Sequence, residues 1–239
     1  MRSSCGSLRV GLLLSGAGLL GGCADNESML FVRGAMHLTA GSCDLVADSS
    51  ATMLTNGVYD IAFKQAYSAA LLVGNQLASR GQKARSRTET SSITLEGAEV
   101  NLLSSQGGSL VPAFTSPGAG FVEVGSGQDN GYGVMSAVII PAFAAKAAAT
   151  NNGGYVIAEI KVFGKTLGGQ DVESGVFKFP ITVCSGCLVQ FPVDSVDAVG
   201  NCIVGTTNTA ATQPCVVGQD DPVNCAVCAG NFSVCAKKP

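Results

Sequence analysis

Two Cys-x-x-Cys pairs, Cys184 with Cys187 and Cys225 with Cys228, are the spacing in this chain that most directly suggests chemistry. Four thiolates so arranged would suit a structural zinc ion. The 37 residues between the pairs exceed the usual ribbon spacing, and thiols in an oxidising compartment pair with each other before a metal competes, so disulfides and no metal are expected. A thioredoxin-like role needs a βαβ setting and a helix N-terminus that lowers the thiol pKa. Neither surrounds these pairs. His37 is the single histidine, with Ser42 and Asp44 nearby. The chain has no Gly-x-Ser-x-Gly elbow and no His-Glu-x-x-His helix, so His37 reads as a packed or rim side chain, and no catalytic residue or cofactor is expected. Gly-Gln-Asp occurs at Gly127-Gln128-Asp129, Gly169-Gln170-Asp171 and Gly218-Gln219-Asp220. Calcium loops would need several acids together, and only the third copy has another, Asp221. Turn chemistry is the simpler cause, since Gly frees the backbone and Asp bonds to it.

Chemistry of another kind is indicated at Leu20-Gly21-Gly22-Cys23. Arg2 and Arg9 precede an uncharged apolar run from Val10 to Leu20, the n- and h-regions of an export signal. As a helix that run spans roughly 16 Å against ~30 Å for a bilayer core, too short for a permanent span. The tetrapeptide resembles the lipobox of bacterial lipoproteins, which implies cleavage after residue 22 and lipidation of Cys23. Ala24 follows where inner-membrane lipoproteins carry Asp, and this resembles the outer-membrane type. The six residues from Cys23 to Met29 reach ~20 Å at most, placing the first domain against the membrane.

The elements that carry these residues follow from patterning. Without residues 1 to 22 the chain keeps 12 basic and 17 acidic residues, a net of −5, which excludes a nucleic-acid partner. Charged residues are only 13% and Gly numbers 31, a composition of tightly turned β-structure. Period-two alternation marks strands at Met29 to Leu38, Tyr59 to Phe63, Tyr67 to Val73, Ile93 to Leu103, Phe121 to Gly125, Tyr132 to Ile140, Tyr155 to Gly164 and Val172 to Val183. Between Tyr155 and Gly164, Val156, Ala158, Ile160 and Val162 should face inward and Glu159 and Lys161 outward. Asn56-Gly57, Asn130-Gly131 and Gly168-Gly169 supply turns. Pro141 to Ala149 alone reads as a helix, capping one end of the sandwich. Arg80, Lys83, Arg85 and Arg87 form a basic loop between strands, solvated or near anionic head groups.

From residue 184 the character changes. Cys184, Cys187, Cys202, Cys215, Cys225, Cys228 and Cys235 crowd a stretch with few bulky side chains, so crosslinks must order it. Seven is odd, and Cys43 is the one other mature thiol free of lipid. It should bridge to the tail, with Cys184 or Cys187 the expected partner because both follow directly on a strand.

Gly164-Lys165-Thr166-Leu167-Gly168-Gly169, Phe177 to Leu188, and Pro214-Cys215 with Gly218-Gln219-Asp220 ahead of Cys225-Ala226-Val227-Cys228 resemble an uncharacterised family of lipoproteins from myxobacteria and related predatory or soil bacteria. The likeness covers roughly residues 155 to 235 and implies secretion and cysteine pairing, with no catalytic residue or ligand. The combined expectation is a signal peptide at 1–22, a lipidated tether at 23–28, an all-β antiparallel sandwich of immunoglobulin-like proportions at 29–183 with one short helix, and a disulfide-stapled tail at 184–239. Such a chain would be a non-catalytic structural or interaction module of the outer membrane, with the membrane as one partner through its lipid anchor and an envelope protein as another. The alternative is a ligand- or metal-binding lipoprotein that uses its end loops and the acids Asp194, Asp197, Asp220 and Asp221.

Overall fold

The computed structural model describes residues 29–39, 41–79, 89–126, 130–151, 154–190, 214–224 and 235. Among them the elements are β1 (Leu30–Met36), β2 (Met53–Leu54), β3 (Gly57–Asp60), β4 (Tyr67–Asn75), β5 (Ile93–Ser104), β6 (Phe114–Val122), β7 (Gly131–Ile140), α1 (Ala142–Thr150), β8 (Tyr155–Thr166), β9 (Asp171–Glu173), β10 (Phe177–Cys184), β11 (Val189–Gln190) and β12 (Val223–Asn224). One sheet has the order β2-β1-β4-β7 and packs on a second, β3-β10-β8-β5-β6, with β9 beside the last part of β8. β11 and β12 pair separately. The protein is therefore a β-sandwich, antiparallel except that β3, at the edge of the second sheet, runs parallel to β10 and that the separate pair β11 and β12 is parallel.

Alternation explains the second sheet. Val156, Ala158, Ile160 and Val162 on β8 are all fully buried, as their spacing requires. Glu159 and Lys161 point outward and pair across strands with Lys178 and Glu173. β4 instead is apolar on both faces. Tyr67, Ala69, Leu71 and Val73 enter the main core, while Ala70 and Leu72 are covered from outside by Met36 and Met53. Burial on both faces removes the alternation, so this strand reads as a continuous apolar run.

α1 lies one residue along from the expected stretch and buries Ala144, Ala145 and Ala148 in the core. Small side chains let it sit close between β7, the end of β10 and the start of β8. It closes the end of the sandwich where β4 and β8 begin.

Three expectations are corrected. The strand expected at Phe121 to Gly125 lies earlier, at Phe114–Val122, and its Pro117, Gly118 and Gly120 hid it because they read as breakers. Pro117 stands beside a register slip opposite Gly97, where a bulge tolerates a missing donor. Gly120 meets a different need: β6 and β7 belong to different sheets yet approach so closely that a Cβ there would stand 2.6 Å from the Val134 carbonyl oxygen. The run from Val172 to Val183 is split into β9 and β10. The strand at Tyr59 to Phe63 stops at Asp60, which is fully buried rather than outward.

Gly120→Ala should lose about 1 to 3 kcal/mol through overpacking. Gly175→Ala, with open space at its Cβ, should stay within about 0.5 kcal/mol. Urea unfolding of both variants checks the contrast, and equal stabilities would remove the close approach as the reason for glycine.

Candidate functional site

β3 is only four residues long, but it is where the tail meets the sandwich. Its pairing with β10 uses one edge, and the backbone groups of Val58 and Asp60 point to the other. There the segment Gly218-Gln219-Asp220 takes the place of a neighbouring strand. Asp60 N donates to the Gly218 carbonyl (3.0 Å) and Asp220 N to the Val58 carbonyl (2.9 Å), while Val58 N donates to Asp220 Oδ1 (2.9 Å). Gly218 has φ +80, and a Cβ on it would lie 2.6 Å from Phe63 Cβ, so this step of the chain admits only glycine.

Gln219 and Asp220 then reach across to β4 in the first sheet. The buried Gln219 amide bonds both backbone groups of Ser68: Nε2 donates to its carbonyl (2.5 Å) and its N donates to Oε1 (3.1 Å). Lys64 Nζ donates to the same Oε1 (3.1 Å). Tyr67 Oη donates to the Asp220 carboxylate. Burial, with the Asp220 charge beside it, pushes the Tyr67 phenol far up, so it remains a donor. Burial likewise is the main cause that raises Asp220, against the lowering effect of its donors Val58, Tyr67 and Gln219. Burial lowers Lys64. Beneath the segment lies a cavity of about 100 Å³ bordered by Met36, His37, Leu45, Tyr67, Gln219 and Asp221, small beside ligand pockets of about 300 Å³ or more.

His37 is on the rim, as its sequence context suggested, and has a partner that the sequence did not reveal: its Nε2 lies 2.9 Å from Asp221 Oδ1. Asp220 and Asp221, which the alternative reading would use to bind a ligand or metal, are both engaged within the fold. Asp194, Asp197, the basic run Arg80 to Arg87, Gly127-Gln128-Asp129 and Cys23 lie outside the described residues.

The disulfides also differ from expectation in partner. Cys43 does bridge to the tail, but to Cys215 (Cα–Cα 5.4 Å), whereas Cys184 joins Cys187. Docking of residues 218 to 220 carries Cys215 to the turn that follows β1, where Cys43 N bonds the Thr39 carbonyl. The long bridge spans 172 residues and the short one 3. In the chain-entropy model these restrict the unfolded state by about 5 and about 2 kcal/mol, so the long bridge dominates. Cys235 is buried beside Leu188 and Val223 and is disulfide-bonded. Cys202, Cys225 and Cys228 lie outside the described residues.

Asp60 is the site residue that sequence reading missed. Its carboxylate has no exposure and accepts from Ala62 N (3.0 Å), Gly186 N (2.7 Å) and Leu188 N (3.0 Å). It holds the Cys184–Cys187 loop from beneath. One signal was present: an acid directly ahead of Ile61 at the end of an apolar strand.

Comparison with known proteins found no matching family model, no matching curated protein and no matching solved structure.

Gln219→Ala leaves the Ser68 amide and carbonyl without partners, and about 2 to 4 kcal/mol should be lost at two such groups. Non-reducing limited proteolysis should then cut the tail faster; unchanged cleavage would mean that the side chain does not hold it.

The raised Asp220 gives a pH test. The folded state binds that proton more tightly than the unfolded chain does, so stability falls as pH rises from the unfolded to the folded value. Acidification from neutral through the raised value should therefore stabilise the protein, by an increment that Asp220→Asn lacks. Urea midpoints of both proteins against pH provide the check, and parallel curves would refute the assignment.

Proposed function

We propose that this chain is a non-catalytic lipoprotein of the cell envelope, anchored to the outer membrane through Cys23, whose sandwich and docked tail form a structural or interaction module. One observation supports it above the rest: the polar groups gathered at the docked tail bond each other or the backbone. His37 faces Asp221, Tyr67 faces Asp220, and Lys64 faces Gln219. Lys64 also borders a pocket of about 340 Å³ beside α1, but its ammonium is held by Gln219.

The placement of the N-terminus agrees with an anchor. β1 enters beside the end of β4, with Gln76 N bonded to the Met29 carbonyl, and the docked tail lies at the other end, near the start of β4. Five residues lie between Cys23 and Met29. A lipid on Cys23 would turn the tail away from the bilayer and present that end to an envelope partner. Among the described residues no helix is long and apolar enough to cross a membrane. The resemblance to myxobacterial-type lipoproteins points the same way.

Cys23→Ser should release the protein from membranes or leave it as uncleaved precursor, because several acyl chains at ~0.8 kcal/mol per buried CH₂ are then missing. Normal membrane fractionation of that variant would overturn the anchor.

A further inference from the structure

We propose that the corner formed by Asp60, Cys184 and Cys187 is a redox-gated binding site for a soft divalent metal ion, closed while the two cysteines are joined and open when they are reduced. The donor atoms of the three residues lie within 4.8 Å of one another. Two Zn–S bonds of 2.3 Å at the tetrahedral angle place their sulfurs about 3.8 Å apart, so a small separation of the sulfurs completes the set.

Three observations carry the assignment. Asp60 is a fully buried carboxylate whose partners among the described residues are all neutral backbone N–H groups, and among the described ion pairs none involves it. A buried charge of this kind favours a cation beside it. Second, among the described residues Oδ2 accepts from Leu188 N alone, which leaves a lone pair directed to a metal. Third, Asp60 pins Gly186 and Leu188, on both sides of Cys187, without using sulfur. The loop therefore keeps its course when the disulfide opens, and the two thiols are pre-organised as a chelate. Cys187 is exposed and Cys184 half-buried, so solvent and a reductant reach the site from the Cys187 side.

A dithiol reductant opens the site. Its thiolate attacks the exposed Cys187 sulfur, the Cys184–Cys187 bond breaks, and Cys184 leaves as a thiolate that takes a proton. The second thiol of the reductant displaces Cys187 and closes the reductant's own disulfide. Two electrons and two protons have then passed to the cysteines, and metal binding expels both protons. The resulting site has three protein ligands and one open position.

The test is Cd²⁺ titration of the mature chain, oxidised and after reduction by a non-chelating phosphine, followed by thiolate-to-metal charge-transfer absorbance and native mass. Reduced wild type should bind one more Cd²⁺ than the Cys184→Ser/Cys187→Ser double variant, and the oxidised protein should lack that equivalent. The Cys225→Ser/Cys228→Ser variant should retain it. Asp60→Asn should weaken it about tenfold, and if that variant does not fold, Cys187→Ser alone should abolish it. Equal stoichiometry in wild type and the first double variant overturns the proposal, as does binding without reduction. Loss of the equivalent in the second double variant overturns it too, because the site would then be four thiolates.

Discussion

The unpaired edge of β3 is the constraint on which this end of the molecule depends. Backbone N–H and C=O groups near the core must find partners, and an exposed sheet edge invites association with other chains. β3 has β10 on one side only. Residues 218 to 220 satisfy the other side through Val58 and Asp60. The tail is therefore the last piece of the second sheet's edge. Since the Gln219 side chain continues to Ser68 on β4, the same segment also ties the second sheet to the first. Cys215 lies three residues ahead of Gly218, so its bond to Cys43 restrains the segment at its entry.

Much of the sandwich could be read from spacing, because a half-buried strand writes its burial into alternate residues. β8 is the clearest case, with its inward four and its outward Glu159 and Lys161 all as expected. The helix was equally legible, since proline followed by alanines leaves few other choices. β6 was not. Its Pro117 and Gly120 answer to a bulge and to the backbone of another sheet, and neither demand is visible in the residues around them. Asp60 failed for a related reason: an acid in an alternating run looks outward unless its donors are known, and two of them, Gly186 and Leu188, are over 120 residues away.

The repeated Gly-Gln-Asp shows where local chemistry stops being informative. At residues 169 to 171 it is a turn, with Gly169 at φ +85, Gln170 N bonded to Thr166 Oγ1, and an exposed Asp171 paired with Lys165. At residues 218 to 220 glycine has nearly the same φ, +80, yet the two side chains are spent on strands some 150 residues distant. Glycine's conformational freedom explains both copies. The difference comes from what the turn encounters, and for the tail that is an unsatisfied strand edge.

The same logic separates the two bridges. Cys43–Cys215 closes a long loop and acts with a network of hydrogen bonds that crosses both sheets, so order in the tail depends on sulfur and on docking together. Cys184–Cys187 closes a very short loop, and that loop is already fixed by two bonds, from Gly186 N and Leu188 N, to a buried carboxylate. There the sulfur bond adds little that Asp60 does not supply. A crosslink that duplicates an existing restraint contributes little to the stability of the whole, so its opening leaves the fold standing. Its two sulfur atoms are then available for chemistry, which the sulfurs of the long bridge are not.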